Sequence, residues 1–144
     1  MAQLRKTIAI DAPADAVWEV LGDLAATPEW LPGTAAARME GAIRICTTAD
    51  GNEIREEIGN YSPERRTYSY RHLQVPLPVR SSTGTFTVRA GDGDGGAIVS
   101  LEAQFEALDP GAEPELERMF GGALAQALES LRRRVEQGLT WQAA

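Results

Sequence analysis

The sequence has one cysteine and one histidine in 144 residues. A single thiol, Cys46, excludes an internal disulfide, and Cys46 with His72 is too small a set for the usual four-ligand zinc centre. Such cysteine usage fits a reducing compartment. No uncharged apolar run approaches the ~18 residues that a membrane-crossing helix needs, so bilayer insertion is not expected. Met1 to Ile10 alternates polar and apolar residues instead of forming a continuous apolar stretch. A secretory signal is therefore not expected, and the cytoplasm is the expected location. Positive charge is in deficit as well: 14 Lys and Arg stand against 21 Asp and Glu, a formal net charge of −7. That balance repels phosphate backbones and anionic lipid, so nucleic acid is not an expected partner.

What is present is an ordinary globular composition, 43% hydrophobic and 24% charged, expected to form one domain over residues 1–144. Gln3 to Asp11 reads as a strand with Leu4, Ile8 and Ile10 on one face, and Asp11-Ala12-Pro13 is a helix-start signal. Val17, Trp18, Val20 and Leu21 then make the buried stripe of a short helix that Gly22 can stop. Thr27-Pro28 opens a second short turn through Trp30, ended by Pro32-Gly33. From Thr34 to Ala107 short runs rich in Ile, Thr, Tyr, Phe and Val are separated by turn signals. These are Asp50-Gly51-Asn52, Ser62-Pro63-Glu64, Val75-Pro76-Leu77-Pro78 and Gly91 to Gly96, the pattern of an antiparallel meander.

A long helix closes the chain. Glu113, Pro114, Glu115 and Glu117 suit its positive end, and Arg132 to Arg134 suit its negative end before Gly138. Leu116, Met119, Phe120, Ala123, Leu124, Ala127, Leu128, Leu131 and Val135 form one apolar stripe at helical spacing that must lie on the sheet. The expected class is α+β in the order β-α-α-β6-α, about seven antiparallel strands with the long helix last.

Two motifs fail on context. Gly91-Asp92-Gly93-Asp94-Gly95-Gly96 satisfies G-x-G-x-x-G, but a strand follows it where a dinucleotide site needs a helix, and its aspartates repel a pyrophosphate. As a calcium loop counted from Asp92 it offers Ala103 at position twelve instead of a bidentate Glu. Neither a metal nor a cofactor is expected.

The order of elements and several phrases resemble the START-like, birch-pollen-allergen-like superfamily called SRPBCC, in its polyketide cyclase/dehydrase-type branch. The matching pieces are IDAPADAVWEVLGDL from Ile10, EWLPG ending at Gly33, GAIR from Gly41, DGNEIREEI from Asp50, RRTYSYR from Arg65 and the Pro-Leu-Pro loop. The resemblance implies a helix-grip: a curved antiparallel sheet wrapped around the C-terminal helix, with a cavity for a small hydrophobic or aromatic, lipid-like or polyketide-like, ligand. Members of the superfamily carry lipids, sense hormones or steer polyketide cyclisation, so the fold by itself leaves enzyme status open. A true cyclase or dehydratase needs an internal acid or base.

The hairpin at Asp50-Gly51-Asn52 decides which polar side chains face that cavity. A two-residue loop pairs Ala49 with Asn52 and sends Arg44 to the face opposite Glu56. A three-residue loop pairs Ala49 with Glu53, sets Arg44 against Ile58, and points Arg44 and Glu56 inward as diagonal neighbours. The superfamily's Arg-to-Glu spacing across this hairpin favours the second, at the cost of putting Ile43 and Ile45 on the outer face. Arg44 and Glu56 are then either a structural ion pair or the groups that orient a ligand.

Tyr68, Tyr70 and His72 share one strand face, as core packing or as pocket hydrogen-bonders. Trp30 is either a plug or a lid, and the Val75 to Pro78 loop either a gate or a stiff turn. Phe86, Phe105 and Phe120 complete the expected lining, beside a helix slimmed by Gly121, Gly122, Ala123, Ala125 and Ala127. The rival reading is a protein-interaction or homodimerisation module with a vestigial cavity, which exposed Ile43 and Ile45 would favour.

Overall fold

The computed structural model describes residues 1–93 and 95–142. Seven strands, β1 (Ala2–Ile10), β2 (Thr34–Glu40), β3 (Ile43–Thr48), β4 (Glu53–Ser62), β5 (Thr67–Gln74), β6 (Val79–Ala90) and β7 (Ala97–Ala107), form one sheet. Its spatial order is β1-β7-β6-β5-β4-β3-β2, and every pairing is antiparallel. Sequence neighbours pair from β2 to β7 because their connections are short, while β1 closes onto β7. The link from β1 to β2 carries helix α1 (Ala14–Leu21) and a 3₁₀ turn over Leu24–Glu29. That turn begins three residues before the expected Thr27, whose Oγ1 instead donates to the Leu24 carbonyl at 2.7 Å from inside it. The open sheet and the long helix α2 (Glu113–Gln137) make the helix-grip arrangement.

Helix α2 starts with Pro114 in its first turn and stops at Gly138, whose φ of +70° is a left-handed cap that glycine adopts without strain. It packs on β1, β7 and α1. Leu116, Leu124, Ala127, Leu128 and Leu131 are buried beneath it, but Met119 is 47% exposed. Helical geometry explains this departure from the expected stripe. At ~100° per residue the buried set spans the arc from Leu116 to Leu128, and Met119 falls ~60° outside it. Ala123, between Met119 and that arc, is exposed too. Among the described residues no helix is long and apolar enough to cross a membrane.

The larger apolar cluster gathers Ile10, Val17, Leu21, Trp30, Tyr68, Phe86, Val99, Leu101, Leu128 and Leu131. A smaller one joins Ala2, Phe105, Ala107 and Leu116, with Phe120 packed against it. Alternation along β7 supplies both, since Val99, Leu101, Ala103, Phe105 and Ala107 all point inward.

The β3–β4 hairpin adopts neither expected register. Its loop is Ala49-Asp50-Gly51, so Thr48 faces Asn52, donating its N–H to the Asn52 carbonyl at 2.8 Å. The Thr48 hydroxyl closes the loop by donating to Asp50 and accepting from the Asn52 N–H, and Gly51 takes the left-handed residue at φ +91°. Arg44 therefore stands opposite Glu56, and Cys46 opposite Ile54. The loop still has three residues, so the side-chain parity of the favoured register survives: Arg44 and Glu56 share the inner face, as direct partners instead of diagonal ones.

Ile45 does take the outer face, yet it is only 1% exposed. Its neighbours there are Arg38 on β2 and Arg55 on β4, paired with Glu40 and Glu53 at 2.9 and 2.8 Å. Long arginine stems cover apolar surface while their heads stay wet, and Ile43 is half-buried, so neither isoleucine is the exposed one that would have favoured an interaction module.

Candidate functional site

The inner face carries a polar row that crosses the sheet from β3 to β6. Arg44, Glu56 and His72 occupy directly paired positions on β3, β4 and β5. Ser82 extends the row on β6, with its Oγ 2.9 Å from His72 Nδ1. Arg44 Nε donates to Glu56 Oε1 at 3.0 Å, and Nη1 donates to Thr27 Oγ1 at 3.0 Å and to the Tyr68 hydroxyl at 3.4 Å. His72 Nε2 lies 3.5 Å from Glu56 Oε2. The Cys46 thiol also approaches Glu56, at 3.8 Å. Arg44, Ser82 and Glu56 are sealed from solvent at 2%, 4% and 7% exposure, and His72 is half-buried.

Burial is costly for charge, and each group responds accordingly. Burial works against the Arg44 charge, but Tyr68 and Glu56 outweigh it and hold the guanidinium protonated. The Cys46 thiol is pushed up to about 11 by burial and by the nearby Glu56 charge. Burial likewise raises the Tyr68 and Tyr70 phenols above their ordinary range. His72 moves the other way: burial lowers it, and the attraction of Glu56 offsets only part of the effect. At neutral pH the wall therefore presents a neutral imidazole, neutral phenols and one internally cancelled ion pair. A carboxylate can only accept, so the imidazole proton belongs on Nε2 toward Glu56, leaving Nδ1 to accept from the Ser82 hydroxyl.

Over this row the sheet and α2 enclose a chamber of about 170 Å³. Trp30, Arg44, Glu56, Tyr68, Tyr70, His72, Phe86, Phe105 and Phe120, the nine positions singled out in the sequence, all line it. Tyr68 and Phe86 lie tilted by 39° at 5.3 Å, Phe105 and Phe120 stack at 4.5 Å, and the Trp30 and Phe86 rings meet edge to face at 6.0 Å and 89°. Tyr70 lies across β6 over Gly84, where a Cβ would sit 2.3 Å from the phenol. Only a glycine leaves the ring that room.

Trp30 is 1% exposed, and its Nε1 finds no hydrogen-bond partner among the described residues. Ala123 lines the chamber and is also exposed, which marks the mouth. Outside it lies a hollow of about 510 Å³ that shares Leu31 and Ala123 with the chamber and is flanked by Pro76 and the β3–β4 hairpin.

Sequence reasoning missed Ser82 and Thr27. Ser82 was legible, because it keeps the period-2 phase of Phe86 on the same strand. Thr27 was not, since only the packing of its 3₁₀ turn against β2 brings it to Arg44. The glycine-rich segment is a connection between β6 and β7, with Asp94 outside the described residues. Among the described residues no group of three or more His, Cys, Asp or Glu side chains is placed to hold a metal.

The family model described as polyketide cyclase / dehydrase and lipid transport matches residues 1–136. The chain belongs to this family. Among curated proteins none matches this chain by sequence. Solved structures share its fold. The protein XoxI from Bacillus cereus superposes with a TM-score of 0.88 at 23% identity, over 95% of this chain and 97% of XoxI. The di-domain ARO/CYC BexL of the BE-7585A biosynthetic pathway gives 0.83 at 23% identity, over 94% of this chain and 47% of BexL. Norcoclaurine synthase from Thalictrum flavum, in complex with dopamine and hydroxybenzaldehyde, gives 0.71 at 17% identity, over 93% and 86%.

Proposed function

We propose that this protein binds a small apolar or aromatic molecule in the chamber between the sheet and α2. One observation carries the reading: a buried chamber whose aromatic walls converge on a hydrogen-bonded polar row, the combination that ligand pockets use for affinity and orientation. Size narrows the ligand. An apolar cavity of ~150 Å³ accepts benzene, so about 170 Å³ suits one aromatic ring or an aliphatic group of similar bulk. A longer molecule would seat one end here and extend past Ala123 into the outer hollow. A ring-sized ligand is also in keeping with the dopamine and hydroxybenzaldehyde held by the Thalictrum enzyme.

The test is the mouth. Ala123 is exposed, so Ala123→Trp adds bulk there without overpacking the core. An apolar fluorophore should bind the wild-type protein and raise its melting temperature with RT ln(1 + [L]/Kd), and Ala123→Trp should abolish both effects while melting cooperatively. Equal binding by the two proteins would place the ligand elsewhere.

A further inference from the structure

On the inner face of β5 the Tyr68 hydroxyl accepts from Arg44 and His72 Nδ1 meets Ser82 Oγ, whereas the Tyr70 hydroxyl has no hydrogen-bond partner among the described residues. Nor is it sealed. Of the buried side-chain polar atoms described, Trp30 Nε1 alone lacks a partner, so the unpaired Tyr70 oxygen, on a half-buried residue, still borders open space. Trp30 Nε1 itself is shut in, beyond the reach of a bound molecule.

The packing of Tyr70 fixes which space its oxygen borders. Ser82, Gly84 and Phe86 share the inner face of β6 by period two, and the phenol tip fills the place that a side chain at 84 would take. It therefore stands between Ser82 and Phe86, both of which line the chamber. A glycine inside a strand gives up packing and backbone order, and it marks a site of close approach. What approaches here is a hydroxyl that no described protein group takes up.

Burial raises the pKa of this phenol, so it stays protonated and has a proton to donate. Charge supplies a separate restriction. Arg44 and Glu56 pair at 3.0 Å and are neutral as a whole, so neither an anion nor a cation finds an unmatched counter-charge to replace its lost hydration.

Resting on the binding reading above, we propose that the chamber takes uncharged single-ring compounds bearing a carbonyl or ether oxygen, and that the Tyr70 hydroxyl donates to that oxygen. Aryl ketones, aryl aldehydes and aryl ethers fit this chemistry. Simple arenes lack the acceptor, and benzoates and benzamidines carry charge.

Four probes of one shape separate these effects at neutral pH: acetophenone, α-methylstyrene with a methylene in place of the oxygen, benzoate and benzamidine. Tyr70→Phe removes the hydroxyl and keeps the ring. In that variant the ratio of acetophenone to α-methylstyrene affinity should fall about fivefold from its wild-type value, the worth of one hydrogen bond. Carbonyl-¹³C acetophenone should resonate further downfield when bound to the wild-type protein than when bound to Tyr70→Phe. Benzoate and benzamidine should bind the wild-type protein more weakly than acetophenone does, by roughly tenfold or more. If Tyr70→Phe does not melt cooperatively, the carbonyl signal in the wild-type protein decides, downfield of the same probe in cyclohexane or level with it.

An affinity ratio unchanged by Tyr70→Phe, or a bound carbonyl signal level with that in cyclohexane, would overturn the proposal. Tighter binding of either charged probe than of acetophenone would overturn it too, by showing that Arg44 or Glu56 and not the phenol sets the choice. Each of these results would leave the binding reading standing. If none of the four probes binds the wild-type protein, the binding reading itself falls, and this proposal with it.

Discussion

Arg44 shows how one residue can be held inside a protein that has little use for buried charge. Its Nε and Nη1 reach Glu56, Thr27 and Tyr68 from β4, the 3₁₀ turn and β5, so three separate segments converge on one guanidinium. Such a pair adds little to stability relative to well-packed apolar residues, yet removing one partner strands the other charge. Arg44→Ala should therefore cost ~3–5 kcal/mol in urea denaturation, and the double change Arg44→Met with Glu56→Leu should regain most of it. A loss under ~1 kcal/mol for the single change would mean that water reaches Glu56 freely. Tyr68, Tyr70 and His72 were legible in the sequence because they follow the period of two, and Arg44 with Glu56 through the superfamily's spacing across the hairpin. Their partners were not, since Thr27 comes from an element whose docking no local pattern specifies.

At the scale of elements, α2 joins the two apolar clusters into one structure. Its Leu128 and Leu131 belong to the larger cluster and its Leu116 to the smaller, and the chamber lies beside the slimmer middle of the helix. Leu131 is fully buried. Leu131→Ala should cost ~2–5 kcal/mol as a cavity-forming change. Met119→Ala, on the exposed side of the same helix, should stay within ~0.5 kcal/mol, and guanidinium denaturation of the two variants measures the contrast. Gly122 fits this picture, since a Cβ there would meet nothing within 4 Å. Close helix–sheet packing is therefore not the reason for that glycine.

For the whole molecule, the response of stability to mild acid runs through one imidazole. His72 is the only histidine of the chain, and burial lowers its pKa from the ordinary 6.5. With the folded value depressed, the unfolded chain takes up the proton first as pH falls. Stability is then fully present above pH ~6.5 and declines below it by at most ~1.4 kcal/mol per pH unit, until the folded protein protonates as well. Thermal melts between pH 7.5 and 5 should show this slope in the wild-type protein and a flatter profile in His72→Gln. Identical profiles would mean that His72 is as well solvated in the fold as in the open chain.

The sequence by itself determined the element order, the long terminal helix with its proline start and glycine stop, and the inward phase of β5 and β7. These follow from periodicity and backbone chemistry, which act over a few residues. Tertiary structure alone decided the β3–β4 register, because three loop placements satisfy the same Asp-Gly-Asn signal and the Thr48 side chain selects among them. It also decided the burial of Ile45 beneath two arginines on separate strands and the arrival of Thr27 at Arg44. Each of these depends on which atoms meet across the fold, and residues distant in the chain leave no periodic trace of whom they will meet.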